Sequence, residues 1–180
     1  QDLLLLTKNC RVDDYSKGIT VVLSADIDMS GTDFSPIPIF NGSFHGNGHT
    51  ISGLSLTPKG SRQGFFRSLS TGAVVSDLHL EGTIRPEGSG RDIGAIAGIN
   101  AGKIENCSFR GNLTGSEQIG GIVGTNTLTG VIDNCSVYGV IYGNHFAGGI
   151  AGKNAGVIRN CANYAMVNTT VEQNSVSLQD

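Results

Sequence analysis

The chain has 180 residues, of which 27 are Gly, 4 are Pro and 15% are charged, and its formal net charge is −3. Gly does not recur at every third position and 38% of the residues are apolar, which excludes collagen and argues against disorder. The chain has no run of Lys and Arg that could bind phosphates, and no apolar stretch long enough to span a membrane. Neither nucleic-acid binding nor membrane insertion is therefore predicted.

The N-terminal segment predicts a short helix. Asp2 precedes the apolar run Leu3–Leu6, a pattern typical of an N-capped helix. We expect this helix to cover the edge of the first strands, because unpaired strand backbone otherwise invites association. Residues 1–18 are therefore predicted to form an N-terminal cap, and residues 19–92 a series of irregular strands and tight turns.

Two aspartates in the irregular region form the first half of a calcium-binding loop. The segment Asp26-x-Asp28-x-Ser30-Gly31 carries alternating oxygen ligands, but Ile37 stands where an EF-hand needs a bidentate Glu. Asp side chains also cap tight turns by bonding to nearby backbone. We therefore predict that Asp26 and Asp28 cap a turn, with no metal ion and no cofactor.

One motif occurs three times between residues 93 and 170. Each copy begins with a glycine-rich pentapeptide and ends with Ile-x-Asn-Cys, and the copies run Gly94–Cys107, Gly120–Cys135 and Gly148–Cys161. A degenerate fourth copy precedes them, with Asp77 in place of Asn and Leu78 in place of Cys. A period of about 26 to 28 residues is typical of solenoids, in which each unit packs on the previous one.

The period and the glycines predict an all-β fold, a right-handed parallel β-helix of about six rungs, where a rung is one full coil of the chain. A leucine-rich repeat needs a Leu-x-x-Leu-x-Leu frame, and a propeller blade needs about 40 residues. Stacking places the repeated Asn side chains in two ladders. These are Asn100, Asn126 and Asn154, and Asn106, Asn134 and Asn160. We expect their amides to hydrogen-bond from rung to rung and to support the bends.

Stacking also aligns three of the cysteines. Cys107, Cys135 and Cys161 occupy the same position of the repeat. Adjacent rungs lie about 4.8 Å apart, which is within disulfide range, but parallel Cβ directions fit the bond poorly. We predict a buried stack of free thiols that pack as small hydrophobic groups.

One outward-facing column predicts a binding surface near the last rungs. It contains Glu81, Arg110, Tyr138 and Tyr164, and Tyr142 lies in a neighbouring column. Tyrosine rings suit sugars or protein partners, and Arg110 over Tyr138 adds a cation–π contact of about 0.5–1 kcal/mol. Stacking for β-propensity alone, or coverage of the tyrosines by a further domain, also accounts for this column, so these alternatives stay open.

A second outward column contains two acidic residues that are candidates for a pair of catalytic carboxylates. Glu105 and Asp133 are predicted to align one rung apart, with Arg159 following them. A glycosidase needs two carboxylates on one face of a groove, whereas this column is typical of surface charge. We therefore predict no catalytic residues.

The sequence resembles GLUG-motif domains in two places. Phe44–Ile51, preceded by Asp26–Gly31, resembles the opening of such domains, and the Gly-Gly-Ile-x-Gly … Asn-Cys copies are similar to the GLUG repeats themselves. The resemblance implies a right-handed β-helix in a secreted or surface-attached bacterial protein, often adhesin-like. Some IgA-specific metallopeptidases carry such repeats beside their catalytic domain, but the zincin motif His-Glu-x-x-His is absent here.

The sequence thus predicts a non-catalytic module of an extracellular or cell-surface bacterial protein, for adhesion, ligand presentation or spacing. The expected partners are a glycan, a host or surface protein, and further domains of the same chain. Residues 171–180 are polar and lack a cap, so we expect a truncated end within a larger protein. The alternative is a carbohydrate-active enzyme, a polysaccharide lyase or a glycosidase, on the same scaffold.

Overall fold

The computed structural model describes residues 2–12 and 14–168, and the predicted end at 171–180 lies outside them. The described part is a parallel β-helix with one short N-terminal helix. Helix α1 spans Asp2–Asn9. The strands, in chain order, are β1 (Thr20–Val22), β2 (Ile27–Asp28), β3 (Ile37–Phe40), β4 (Ser43–His45), β5 (Thr50–Leu56), β6 (Phe66–Leu69), β7 (Val74–Ser76), β8 (His79–Ile84), β9 (Arg91–Gly94), β10 (Ala97–Asn100), β11 (Lys103–Glu105), β12 (Ser108–Gly120), β13 (Val123–Asn126), β14 (Val131–Asp133), β15 (Ser136–Gly148), β16 (Ala151–Asn154), β17 (Val157–Arg159), β18 (Ala162–Asn163) and β19 (Met166–Val167).

Three parallel sheets form the walls of the helix. The first sheet has the order β1-β4-β7-β11-β14-β17, and the second has the order β18-β15-β12-β8-β5-β2, with β9 and β19 pairing at its side. The third sheet has the order β16-β13-β10-β6-β3. Because the chain visits the three sheets in rotation, each visit to all three completes one rung. Every rung then shares backbone hydrogen bonds with its neighbours at the interstrand spacing of about 4.8 Å.

The number of rungs is about five, whereas the sequence predicts about six. Six strands line the first sheet but only five line the third, which begins at β3 and ends at β16. Strands β17, β18 and β19 therefore start a further rung that, within residues 14–168, reaches no third-sheet strand. A count that includes this incomplete last rung gives six.

The core runs along the axis and changes in composition from one end to the other. Near the N-terminus, Phe40, Phe44, Phe65 and Phe66 are 0% exposed, and their ring centroids lie 5.1 to 6.3 Å apart. Most of these pairs meet edge to face, the arrangement that the ring quadrupoles favour. Beyond β6 the buried apolar side chains are mostly Ile, Leu, Val, Ala and Cys, with Phe109 as a larger exception.

The register of the repeats follows the sequence alignment. Ile104 lies opposite Ile132, and Leu113 lies opposite Ile141, and all of these side chains are buried. The intervening polar residues point outward, because side chains alternate between the two faces of a strand. Equivalent positions of successive copies therefore form columns parallel to the axis.

Helix α1 covers the N-terminal end of the core. Leu3 and Leu6 are buried, and the helix packs near β3. Asp2 lies within the first helical turn, where its negative charge interacts favourably with the positive end of the helix dipole. Among the described residues, no helix is both long and apolar enough to cross a membrane.

One corner of three successive rungs is built from glycine. Gly82, Gly111 and Gly139 lie opposite one another in β8, β12 and β15, with φ values of 156°, 156° and 112°. A Cβ atom on Gly111 collides with the carbonyl oxygen of Gly82, and one on Gly139 collides with that of Gly111. Only glycine allows the rungs to approach this closely at the bend.

Candidate functional site

The first asparagine ladder runs through the interior. Asn100 Nδ2 donates to Asn126 Oδ1 at 2.9 Å, and Asn126 Nδ2 donates to Asn154 Oδ1 at 2.8 Å. Asn100 and Asn126 are 0% exposed, and their amides also bond to backbone carbonyls of the following turn. These side chains hold the rungs together and have little surface to offer a ligand.

The second ladder lies at the exposed bends and is interrupted. Asn106, Asn134 and Asn160 have left-handed φ values of 54°, 51° and 54°, which Asn tolerates better than other non-Gly residues. Asn134 Nδ2 donates to Asn106 Oδ1 at 2.9 Å, as expected from stacking. Asn160 instead donates to Asp133 Oδ1 at 2.9 Å, because that carboxylate is the stronger acceptor beside it. The hydrogen bond expected between Asn134 and Asn160 is thus replaced by the bond from Asn160 to Asp133.

The cysteine column consists of free thiols. Cys107 and Cys135 are buried and Cys161 is half-buried. Each Sγ lies 3.1 to 3.4 Å from the carbonyl oxygen two residues earlier, as a weak donor. Burial raises the pKa of Cys107 and of Cys161, so both favour the unreactive thiol form.

Asp26 and Asp28 act on neighbouring backbone. Asp26 Oδ1 accepts from the backbone N–H of Thr50 at 2.9 Å and lies 3.1 Å from His49 Nδ1. The bond from Thr50, with a smaller contribution from His49, lowers the pKa of Asp26. Asp28 Oδ1 accepts from the backbone N–H of Ser30 at 2.9 Å. Within residues 2–12 and 14–168, no cluster of three His, Cys, Asp or Glu side chains is arranged to hold a metal ion.

The acidic column is occupied by ion pairs. Glu105 lies opposite Asp133, which lies opposite Arg159. Lys103 Nζ contacts Glu105 Oε2 at 2.6 Å, and the Arg159 guanidinium contacts Asp133 Oδ2 at 2.8 and 2.9 Å. The hydrogen bond from the neighbouring Asn amide, followed by the Arg159 contact, lowers the pKa of Asp133. Each of the two carboxylates therefore contacts a cationic side chain.

The side chains of Arg110, Tyr138 and Tyr164 stack on one another in the tyrosine column. Glu81, Arg110 and Tyr138 lie opposite one another in β8, β12 and β15. The Arg110 Cζ atom lies 4.7 Å from the Tyr138 ring centroid, and the Tyr138 and Tyr164 centroids are 5.0 Å apart with an interplanar angle of 14°. Both faces of Tyr138 are therefore covered, by Arg110 from one rung and by Tyr164 from the next. Tyr164, which is 65% exposed, keeps its outer face open.

Tyr142 lies apart from this stack, beyond the bend at Gly139. It lies opposite Thr114 and is 45% exposed. Its side chain lines an open cleft of about 930 Å³ with both polar and apolar walls, together with the loops that follow β5 and β8. The sequence placed Tyr142 on an outer edge but missed the cleft. The signal was present, since Thr57-Pro58-Lys59-Gly60 and Arg85-Pro86-Glu87-Gly88 repeat a Pro-x-Gly turn in successive rungs.

Comparison with known proteins supports both the motif and the fold. Residues 115–142 match the family model described as the GLUG motif, which confirms the resemblance over that segment. The chain is 35% identical to halomucin from Haloquadratum walsbyi over an alignment of 126 residues that covers 61% of this chain and 1% of halomucin. It is similar to the crystal structure of a protein from Bacteroides ovatus that is provisionally assigned as an immunoglobulin A1 protease. That match has a TM-score of 0.56 and 21% identity, and it covers 84% of this chain and 61% of the solved one. At this identity the structural match shows the fold alone.

Proposed function

We propose that the chain is a non-catalytic β-helical module of a secreted or cell-surface bacterial protein, and that it presents a ligand-binding face. The observation that supports this proposal is that the repeated inward side chains and the repeated outward side chains have different roles. The inner Asn column links the rungs by side-chain hydrogen bonds, and the Cys column packs in or against the core. In contrast, the outside of the second sheet is lined by Arg110, Tyr138, Tyr142 and Tyr164, here named the tyrosine face. The GLUG motif and the similarity to a segment of halomucin support an extracellular location.

The geometry of the tyrosine face supports binding by apolar contact with polar handles. Tyr142 and Tyr164 are exposed large side chains; Tyr142 lies in β15, and Tyr164 lies between β18 and β19, the two strands that pair with β15. Tyrosine combines apolar area with a hydroxyl group at low cost in side-chain entropy, which is why it is common in binding surfaces. A glycan or a protein of the host surface is the proposed partner.

The test compares the wild-type module with the triple variant Tyr138→Ala, Tyr142→Ala, Tyr164→Ala on a glycan array and against immobilised host surface proteins. Tyr15→Ala is the matched control, because this tyrosine is 41% exposed and lies near the N-terminal end of the β-helix, away from the tyrosine face. We expect binding that the triple variant loses and the control retains. Binding retained by the triple variant, or no binding by the wild type, contradicts a ligand-presenting role and leaves the module as a spacer.

A non-catalytic role is proposed because the aligned carboxylates are already neutralised. Glu105 and Asp133 each contact a cation, and the pKa of Asp133 is lowered, opposite to what a general acid requires. Incubation of the module with acidic and neutral polysaccharides, followed by an assay for new reducing ends, tests this point. Release of reducing ends that persists in highly purified protein contradicts it and favours a polysaccharide lyase or glycosidase.

A further inference from the structure

The cleft beside Tyr142 is framed by two outward columns that cross four rungs. The inward residues Leu56, Ile84, Leu113 and Ile141 lie opposite one another. The residues that follow them point outward by strand alternation. They form the first column, which consists of Thr57, Arg85, Thr114 and Tyr142. Two positions further along lies the second column, which consists of Lys59, Glu87, Ser116 and Asn144. At about 4.8 Å per rung the columns extend about 14 Å, which accommodates an oligosaccharide laid along the axis.

The charges in the cleft leave one cation available. Lys59 Nζ lies 3.6 Å from Glu87 Oε2, so these two side chains neutralise each other. Arg85 is exposed and, among the described residues, has no carboxylate within 4.0 Å. A guanidinium group binds a carboxylate with two parallel hydrogen bonds. The cleft is therefore matched to a ligand that carries a carboxylate.

The other side chains that line the cleft carry hydroxyl and amide groups, which are suited to hydrogen-bonding with sugars. Hydroxyl groups of Thr114 and Ser116 and the amide of Asn144 line the cleft and can donate to and accept from sugar hydroxyls. The Tyr142 ring has no aromatic or cationic partner within the described chain, unlike Tyr138, whose two faces are both covered. An open aromatic face packs against the apolar face of a sugar ring.

We propose that this cleft binds an acidic saccharide, with Tyr142 packing against a sugar ring and Arg85 pairing with the sugar carboxylate. The inference rests on the proposed ligand-presenting function and names its ligand class and position. The carboxylate is supplied either by a uronic acid or by a sialic acid. Because the pairing is exposed, it weakens as ionic strength rises.

The experiment is isothermal titration calorimetry with four defined probes. Trigalacturonic acid and 3′-sialyllactose represent the two acidic sources, and maltotriose and lactose are their neutral counterparts. The variants are Arg85→Gln and Tyr142→Ala, and the matched controls are Arg11→Gln and Tyr15→Ala, which change the same residue types at exposed positions near the N-terminal end, outside the cleft and the tyrosine face. All four positions lie at the surface, and unchanged far-UV circular dichroism and melting establish that each variant is folded.

We expect one acidic probe to bind more tightly than its neutral counterpart. Arg85→Gln should weaken the acidic probe about tenfold or more, as expected for loss of a charge-assisted hydrogen bond, without affecting the neutral one. Tyr142→Ala should weaken both, and the controls should change affinity by less than about twofold.

Three results overturn the inference. They are equal binding by Arg85→Gln and the wild type, loss of binding in the control variants only, and absence of binding by both acidic probes in the millimolar range. In each of these cases the proposed function stands if the array or the surface proteins give a ligand that the triple variant loses. If the wild type binds nothing in either assay, both the function and the inference fail.

Discussion

The inner asparagine ladder makes a quantitative prediction at Asn126. Its Nδ2 donates to Asn154 at 2.8 Å and to the carbonyl of Gly130 at 3.1 Å, and its Oδ1 accepts from Asn100 at 2.9 Å. Asn126→Ala removes these three bonds, each with a net value of about 1 kcal/mol. The flanking Asn amides each keep a bond to the glycine carbonyl two residues later, but the second N–H of buried Asn100 loses its acceptor, which adds to the loss. We expect a loss of about 2–4 kcal/mol in the free energy of unfolding.

The matched control is Asn154→Ala, which changes the same ladder where it is exposed to water. Water replaces the lost partners there, so the expected loss is below about 1 kcal/mol. Urea denaturation, monitored by far-UV circular dichroism, measures the loss in unfolding free energy for each variant. An unchanged m-value indicates that the unfolding transitions are comparable. Equal losses at the two positions, or a loss below about 1 kcal/mol at Asn126, refute the reasoning that burial makes this ladder stabilising.

Three further perturbations probe the core, a surface carboxylate and the thiols. Ile122→Asp places a charge at a position that is 0% exposed and should unfold the domain, whereas Leu128→Asp, at 83% exposure, should shift the melting temperature by less than about 2 °C. A native circular dichroism spectrum for Ile122→Asp contradicts the stacking register. The lowered pKa of Asp133 means that its contribution to stability is complete above its unfolded pKa of about 3.9 and is lost as pH falls through the lower folded pKa. Asp133→Asn should therefore reduce the acid dependence of the unfolding free energy, and parallel curves for the two proteins argue against this. In the folded protein, Ellman's reagent should modify half-buried Cys161 before buried Cys107, and peptide mapping that shows equal rates excludes the difference in access.

The fold could be predicted because the repeat specifies the register. Once the Ile-x-Asn-Cys segments are aligned, Ile104 must lie opposite Ile132 and Arg110 opposite Tyr138, and the structure places them so. A shift of one residue exposes every inward side chain, so the apolar pattern admits one alignment. The GLUG resemblance was recognisable for the same reason, since its motif consists of the residues that build the rung.

The candidate site was less predictable because it depends on directions and loops. Column membership placed Tyr138 and Tyr164 together but did not reveal that Arg110 and Tyr164 cover both faces of Tyr138, so that the exposed ring face of the stack is that of Tyr164. The cleft depends on the loops around Pro58 and Pro86, which lie outside the regular copies. Likewise Asn160 prefers the carboxylate of Asp133 over the neighbouring amide, a choice among acceptors that spacing alone does not decide.

The glycine corner formed by Gly82, Gly111 and Gly139 has a consequence for how such a chain changes in length. Gly111 and Gly139 each face the carbonyl oxygen of the preceding glycine corner, and Gly82 faces that of Leu54, so a duplicated rung with its own glycine meets the same kind of neighbour. An in-frame copy of a whole repeat therefore extends the molecule by about 4.8 Å without disturbing the contacts on either side. Duplication of whole repeats thus changes the reach of such a molecule in fixed increments of one rung.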